Sequence, residues 1–188
     1  MLENNIIDLF CIASGPSLSS EDCKLIENTG IKTVAVNNSW QMATFCNYIY
    51  AGDTKWWNEY CDKINIDAEK WTCSIEAANK YKINYHIASG SYNSGMRAIQ
   101  FGVFKGFKRI ALIGYDCSLK NGIHWHGRHI SNLRNPEKHK VRIWNKQFQR
   151  VADNIKNLNV KVINCSRYTE LKCFECVVLE KVLGINNE

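Results

Sequence analysis

The chain has 188 residues, 45% of them hydrophobic and 22% charged, the make-up of a folded globular domain and not of a disordered or fibrous chain. At this length folding buries roughly 70% of the unfolded surface, so no covalent staples are required. A net charge of +6 is moderately basic. No apolar run approaches the length of a membrane span, and the first residues, with Glu3 and Asp8 and no basic flank, do not read as a signal peptide, so a cytoplasmic location is expected.

In chain order, residues 6 to 13 read as a buried strand that breaks at Ser14-Gly15-Pro16-Ser17-Leu18 and restarts as a helix over residues 19 to 29, with Ser19 or Ser20 as N-cap. Lys32–Val36 and Tyr48–Ala51 are two further short strands, ended by Asn37-Asn38 and Gly52-Asp53. Thr54 to Lys80 is amphipathic and aromatic and reads as helix, with a short strand near Trp71 to Cys73. Tyr85 to Ala88 reads as another strand, and the loop Ser89 to Gly95 feeds a helix from Met96 to Lys105.

Arg109–Ile113 has the pattern of a central strand, ended by Gly114-Tyr115-Asp116. Residues 117 to 140 form a polar excursion rich in histidine, longer than an ordinary connection, and read as a lid loop. A helix from Val141 to Leu158 follows, its apolar stripe made by Val141, Trp144, Phe148, Val151 and Ile155. Val160 to Asn164 is a last strand and residues 175 to 183 a last helix. Apolar strands that end in small or polar residues and alternate with helices predict one α/β domain over residues 1 to 188, a Rossmann-like, mostly parallel sheet flanked by helices.

Nine cysteines in a chain with no export signal suggest reduced thiols. Cys173 and Cys176 are the single Cys-x-x-Cys and lack a second pair for a structural zinc site, so they read as a packing pair. The basic run Lys138, Lys140, Arg142, Lys146 and Arg150 is either a solvated helix face or a contact for an anionic polymer.

In an open parallel sheet the carboxyl ends of the strands share one crevice. Ser14, Gly15, Pro16, Ser17, Asn37, Ser94, Gly95, Gly114, Tyr115 and Asp116 all fall at such ends and are the candidate nucleotide-binding residues. Serines and free backbone N–H groups suit a phosphate, glycines allow close backbone approach, and Asn37 suits a base or ribose. The segment His124-Trp125-His126-Gly127-Arg128-His129 is the second constellation. Its imidazoles suit a general base near neutral pH, a Zn or Mn site completed by Asp116, or a solvated loop, and Arg128 can neutralise a departing phosphate.

Ser14-Gly15-Pro16-Ser17-Leu18, Asn93-Ser94-Gly95, Arg109 to Asp116 and Asn164-Cys165-Ser166 occur in an order that resembles the bacterial sialyltransferases of glycosyltransferase family 42. A group of bacteriophage proteins with a His-Trp-His-Gly loop is similar to the chain and matches it more closely. The resemblance implies a cytidine- or uridine-linked nucleotide-sugar donor and transfer with inversion to a hydroxyl acceptor, with no metal required. The family's phosphate and ribose contacts fall on Ser14 to Ser17, Asn37, Ser94 and Gly95, and its catalytic His on His124 or His126. The phage likeness implies a host-cytoplasmic protein whose acceptor is modified DNA or a glycan; a homo-oligomer is compatible with it.

Two departures matter. Ala13 stands where the family carries Asn before Ser14-Gly15-Pro16-Ser17, and the span from Asp116 to the histidines is shorter than in those enzymes. Gly-Pro-Ser-Leu openings also occur in archaeal pterin diphosphokinases. A phosphoryl or pyrophosphoryl transferase with Mg2+ on Asp116 or Asp53, and a non-catalytic nucleotide-binding module, are therefore the alternatives.

Overall fold

A computed structural model of the chain describes residues 6–90, 92–129, 133 and 135–185. Ser91, residues 130–132 and Arg134, which belong to the two predicted loops, lie outside the described residues. The first apolar run becomes strand β1 (Leu9–Ile12), shorter than predicted because pairing with its two neighbouring strands runs only from Leu9 to Ile12. Helix α1 (Ser20–Glu27) starts where the Ser19 side chain accepts the Asp22 N–H at 3.1 Å. Strand β2 (Lys32–Val36) leads into a short 3-10 turn at Asn37–Gln41, and β3 (Tyr48–Tyr50) follows.

The predicted long helix from Thr54 to Lys80 is broken. It comprises α2 (Thr54–Tyr60), a 3-10 turn at Cys61–Lys63, β4 (Glu69–Thr72) and α3 (Ile75–Tyr81). Pairing with β3 claims the backbone of β4, and Ser74 accepts the Ala77 N–H to start a new helix. The predicted strand at Tyr85 to Ala88 is likewise corrected: β5 is Asn84–Tyr85, and Ile87 is exposed. Helix α4 (Ser94–Phe104) is capped by Asn93 and so starts two residues before the predicted Met96.

Strand β6 (Arg109–Ile113) is as expected, and α5 (Lys138–Lys156) starts earlier than its apolar stripe. After β7 (Lys161–Asn164) the predicted final helix is divided into β8 (Glu175–Cys176) and α6 (Leu179–Val182), because Glu175 and Cys176 pair with β7. All nine cysteines are unbridged; Cys173 is half-buried and Cys176 exposed.

These strands make one eight-stranded sheet in the order β5-β4-β3-β2-β1-β6-β7-β8, parallel at every pairing. The architecture is a Rossmann-like α/β domain, as the alternation of strands and helices predicted. Successive strand residues face opposite layers. Phe10, Ile12, Ala35 and Ile49 pack with Ile26 of α1, Trp56 and Trp57 of α2 and Leu179 of α6. Leu9, Cys11, Val34 and Tyr50 pack with Met96, Ile99 and Phe101 of α4 and Phe148, Val151 and Ile155 of α5.

The chain runs outward from β1 to β5, then returns through α4 to lay β6 on the other side of β1. The direction of progression therefore reverses between β1 and β6, and a crevice opens at the carboxyl ends of these two strands. No helix among the described residues is long and apolar enough to cross a membrane.

Candidate functional site

A cleft of about 760 Å³ occupies that reversal point. The turn after β1 supplies Ser14, Gly15 and Pro16, the end of β2 supplies Asn37, the start of α4 supplies Ser94 and Gly95, and the end of β6 supplies Gly114, Tyr115 and Asp116. His124, Arg128 and His129 reach it from the excursion, and His139, Lys140, Trp144 and Phe148 from α5. Residues from four separated segments thus share one wall, as the strand-end argument expected. Ser17 and His126 do not line the cleft.

The floor is a locked pair of turns. Gly15 donates its N–H to the Gly114 carbonyl at 2.9 Å. Ser17 donates its backbone N–H to Asp116 Oδ2 at 3.0 Å and its hydroxyl to Asp116 Oδ1 at 2.6 Å. Asp116 is 2% exposed, and burial raises its carboxyl above the usual range while the Ser17 bonds pull it back. A Cβ on Gly15 would stand 2.1 Å from Asp116 Oδ1 and 2.4 Å from the Gly114 carbonyl, so only glycine lets the two turns close. Ser17 and Asp116 act here on each other, and both carboxylate oxygens are engaged.

Tyr115 is also a strut. Its ring is buried against Phe148, its hydroxyl donates to the Gly95 carbonyl at 3.0 Å, and its N–H donates to Ser166 Oγ at 2.8 Å. The Gly95 carbonyl is thereby fixed in the first turn of α4. That first turn lines the cleft through Ser94 and Gly95, and the positive end of its dipole suits an anion. Leu18, Ser19 and Ser20 do not line the cleft, so the helix end facing it is that of α4, not that of α1. The Ser94 hydroxyl accepts the Gly52 N–H at 3.1 Å, which ties the end of β3 to the same wall.

Asn37 sits at φ 51°, the left-handed region that Asn tolerates better than most residues. Its Oδ1 is buried and has no partner among the described residues. A buried acceptor without a partner at a cleft wall suits a ligand donor such as a base amine or a ribose hydroxyl.

The histidines gather above this floor. Trp125 donates its N–H to the Ser14 carbonyl at 3.1 Å, which anchors the excursion to the first turn. The rings of His124, His126 and His129 stand 4.9 to 5.1 Å apart, centre to centre. Burial, seconded by the neighbouring imidazoles, pushes His124 down to about 4, and burial lowers His126 and His129 as well. His124 Nε2 is buried and without a partner among the described residues. At pH 7 it is therefore a neutral imidazole, the form a general base needs, and the burial that keeps it neutral also makes it a weaker base than a free imidazole. No group of three or more His, Cys, Asp or Glu side chains among the described residues is placed to hold a metal ion.

Sequence reasoning did not name Asn93, Ser118 and Asn135 as cleft residues, though all three line it. Asn93 had a signal, since Asn before a helical run is a preferred cap. Ser118 and Asn135 had none, because each is a polar residue in a long polar stretch. Comparison of the sequence with known protein families and with curated proteins returns no match.

Proposed function

We propose that the protein is a sialyltransferase-like glycosyltransferase that moves a sugar from a nucleotide sugar to a hydroxyl acceptor, with His124 as general base. One observation carries the reading: His124, neutral and with a buried Nε2 that has no partner among the described residues, lines the same cleft as the Ser14-Gly15-Pro16 turn and the first turn of α4. The donor's phosphate lies against Ser94 and Gly95, and its base or ribose donates to Asn37 Oδ1. His124 Nε2 takes the proton of the acceptor hydroxyl as the acceptor oxygen bonds to the anomeric carbon. The bond from that carbon to the phosphate oxygen breaks, and the nucleotide leaves with the electron pair, its charge met by Arg128 and the α4 dipole.

His126 does not line the cleft, which favours His124 for the proton transfer. Engagement of both Asp116 oxygens by Ser17 argues against a metal-bound phosphoryl-transfer site at that residue. Support for the sugar-transfer reading comes from the resemblance of the motifs together with this arrangement.

The test is a thermal-shift panel of CMP, CDP, UDP, GDP and ATP followed by donor turnover. A cytidine or uridine nucleotide at about 100 times its Kd is expected to stabilise the fold by about 2.7 kcal/mol, a rise of roughly 5–10 °C in Tm. His124→Ala is expected to keep that shift and lose about 10²- to 10⁴-fold in transfer, whereas His126→Ala keeps most of the activity. No shift with any of the five nucleotides, or full transfer by His124→Ala, overturns the reading.

A further inference from the structure

Helix α5 runs away from the cleft, and its charge is not distributed like that of the rest of the chain. It carries six Lys and Arg against one Asp, so one helix holds five of the six net positive charges of the protein. Lys138, Arg142, Lys146 and Arg150 stand four residues apart and are all exposed. None of the four forms an ion pair among the described residues, although Lys63, Lys105, Lys161 and Arg167 elsewhere do. The opposite face of the helix, through Val141, Phe148, Val151 and Ile155, is buried in the core. The one acid, Asp153, lies toward the far end and accepts from Gln149 Nε2 at 2.9 Å.

At 1.5 Å per residue the four cations extend over about 18 Å, with about 6 Å between neighbours. A step of four residues turns about 40° around the axis, so the row also sweeps about 120° of the helix surface. A flat anionic membrane meets only part of such a sweep, and the apolar face that an interfacial helix inserts into lipid is already buried here. A groove with charged walls on both sides meets all of it. The major groove of duplex DNA, about 12 Å wide, admits one helix and lines both sides with phosphates.

We infer that the exposed ridge of α5 is a docking surface for the phosphate backbone of duplex nucleic acid. Lys138, Arg142, Lys146 and Arg150 supply sequence-independent contacts, and Lys140 and Trp144, which line the cleft, place the bound duplex at its mouth. This surface is independent of the sugar-transfer reading, because binding requires neither donor nor turnover.

The experiment uses the full chain and a 5′-fluorescein 20-bp duplex, read by fluorescence anisotropy between 50 and 200 mM NaCl without nucleotide sugar. The expected result is binding whose log K falls linearly with log salt, with a slope of about −4 for about four phosphate contacts. Lys138→Gln/Arg142→Gln/Lys146→Gln/Arg150→Gln together are expected to bring the slope toward zero and weaken binding at least ~10-fold at 50 mM NaCl. These positions are exposed, and circular dichroism checks that the fold is kept. A control with equal charge removed elsewhere, Lys24→Gln/Lys32→Gln/Lys55→Gln/Lys172→Gln, is expected to keep the steep slope.

Equal weakening by the control reduces the effect to net charge and overturns the proposal. Absence of duplex binding at 50 mM NaCl overturns it too, as does binding of heparin or phosphatidylserine vesicles in place of the duplex. Loss of nucleotide binding in the thermal-shift panel would leave this result standing, so the two readings fail separately.

Discussion

At the scale of single residues, the site depends on contacts that leave no room for substitution. Gly15 is the sharpest case, since the space a Cβ would need is filled by the Asp116 carboxylate and the Gly114 carbonyl. One of these neighbours is backbone, so a swing of a side chain does not relieve the clash. Gly15→Ala is expected to cost about 1–3 kcal/mol, the usual toll of overpacking, and to weaken nucleotide binding with it. Urea denaturation measures the first effect, and an unchanged midpoint would mean that the two turns separate freely. Asp116, a candidate ligand when only the sequence is considered, is in the folded protein the residue that holds Ser17 in place.

At the scale of elements, the helices are fixed from outside as well as by their own sequences. Arg167, in the segment after β7, donates from Nε to Asp22 Oδ1 at 2.8 Å and from Nη2 to Glu180 Oε1 at 2.6 Å, joining α1 to α6. The Asp22 side chain is 1% exposed and Arg167 39% exposed, so loss of the cation strands a buried carboxylate. Arg167→Met is expected to cost about 2–3 kcal/mol, less than a fully buried pair because the guanidinium keeps contact with water. Chemical denaturation tests this, and Arg167→Lys should recover only part of the loss because it cannot serve both carboxylates in the same fork. A wild-type midpoint in Arg167→Met would show that α1 and α6 are held by Ile26 and Leu179 packing alone.

At the scale of the whole molecule, the buried His86 and the half-buried His124, His126 and His129 couple the fold to pH. His86, His124, His126 and His129 all have folded-state values lowered by burial, His124 to about 4, against about 6.5 for the free side chain. A lowered histidine is protonated more readily in the unfolded chain, so its contribution is complete above about 6.5 and is lost as pH falls toward the folded value. Asp116, whose carboxyl is raised, acts with the opposite sign, its contribution fading as pH rises past the ordinary carboxylate value. With four histidines against one carboxylate, Tm is expected to rise from pH 4.5 to 6.5 and then level. His124→Asn, which removes one of the proton-linked groups, should flatten the rise; a profile as steep as that of the wild type would show that His124 is not held neutral.

The parallel α/β architecture was legible in the sequence because buried strands on a two-sided sheet are short and apolar and end in small or polar residues. Leu9–Ile12, Lys32–Val36 and Arg109–Ile113 needed no partner to be recognised. Candidate site residues were legible for the same reason, as strand ends. The breaks within residues 54 to 80 and 175 to 183 were not, because β4 and β8 are specified by the neighbour whose backbone they pair with, and Trp71 or Cys176 carries no local mark of that partner. Tertiary structure alone decided which candidates face the cleft. It turned Ser17 onto Asp116, Tyr115 onto Gly95 and α4 toward the cavity, and brought His124 into the cleft while leaving His126 outside. Period and composition act along the chain and could place residues at strand ends; the direction of each side chain was set by groups distant in the chain, 99 positions away in the case of Ser17 and Asp116.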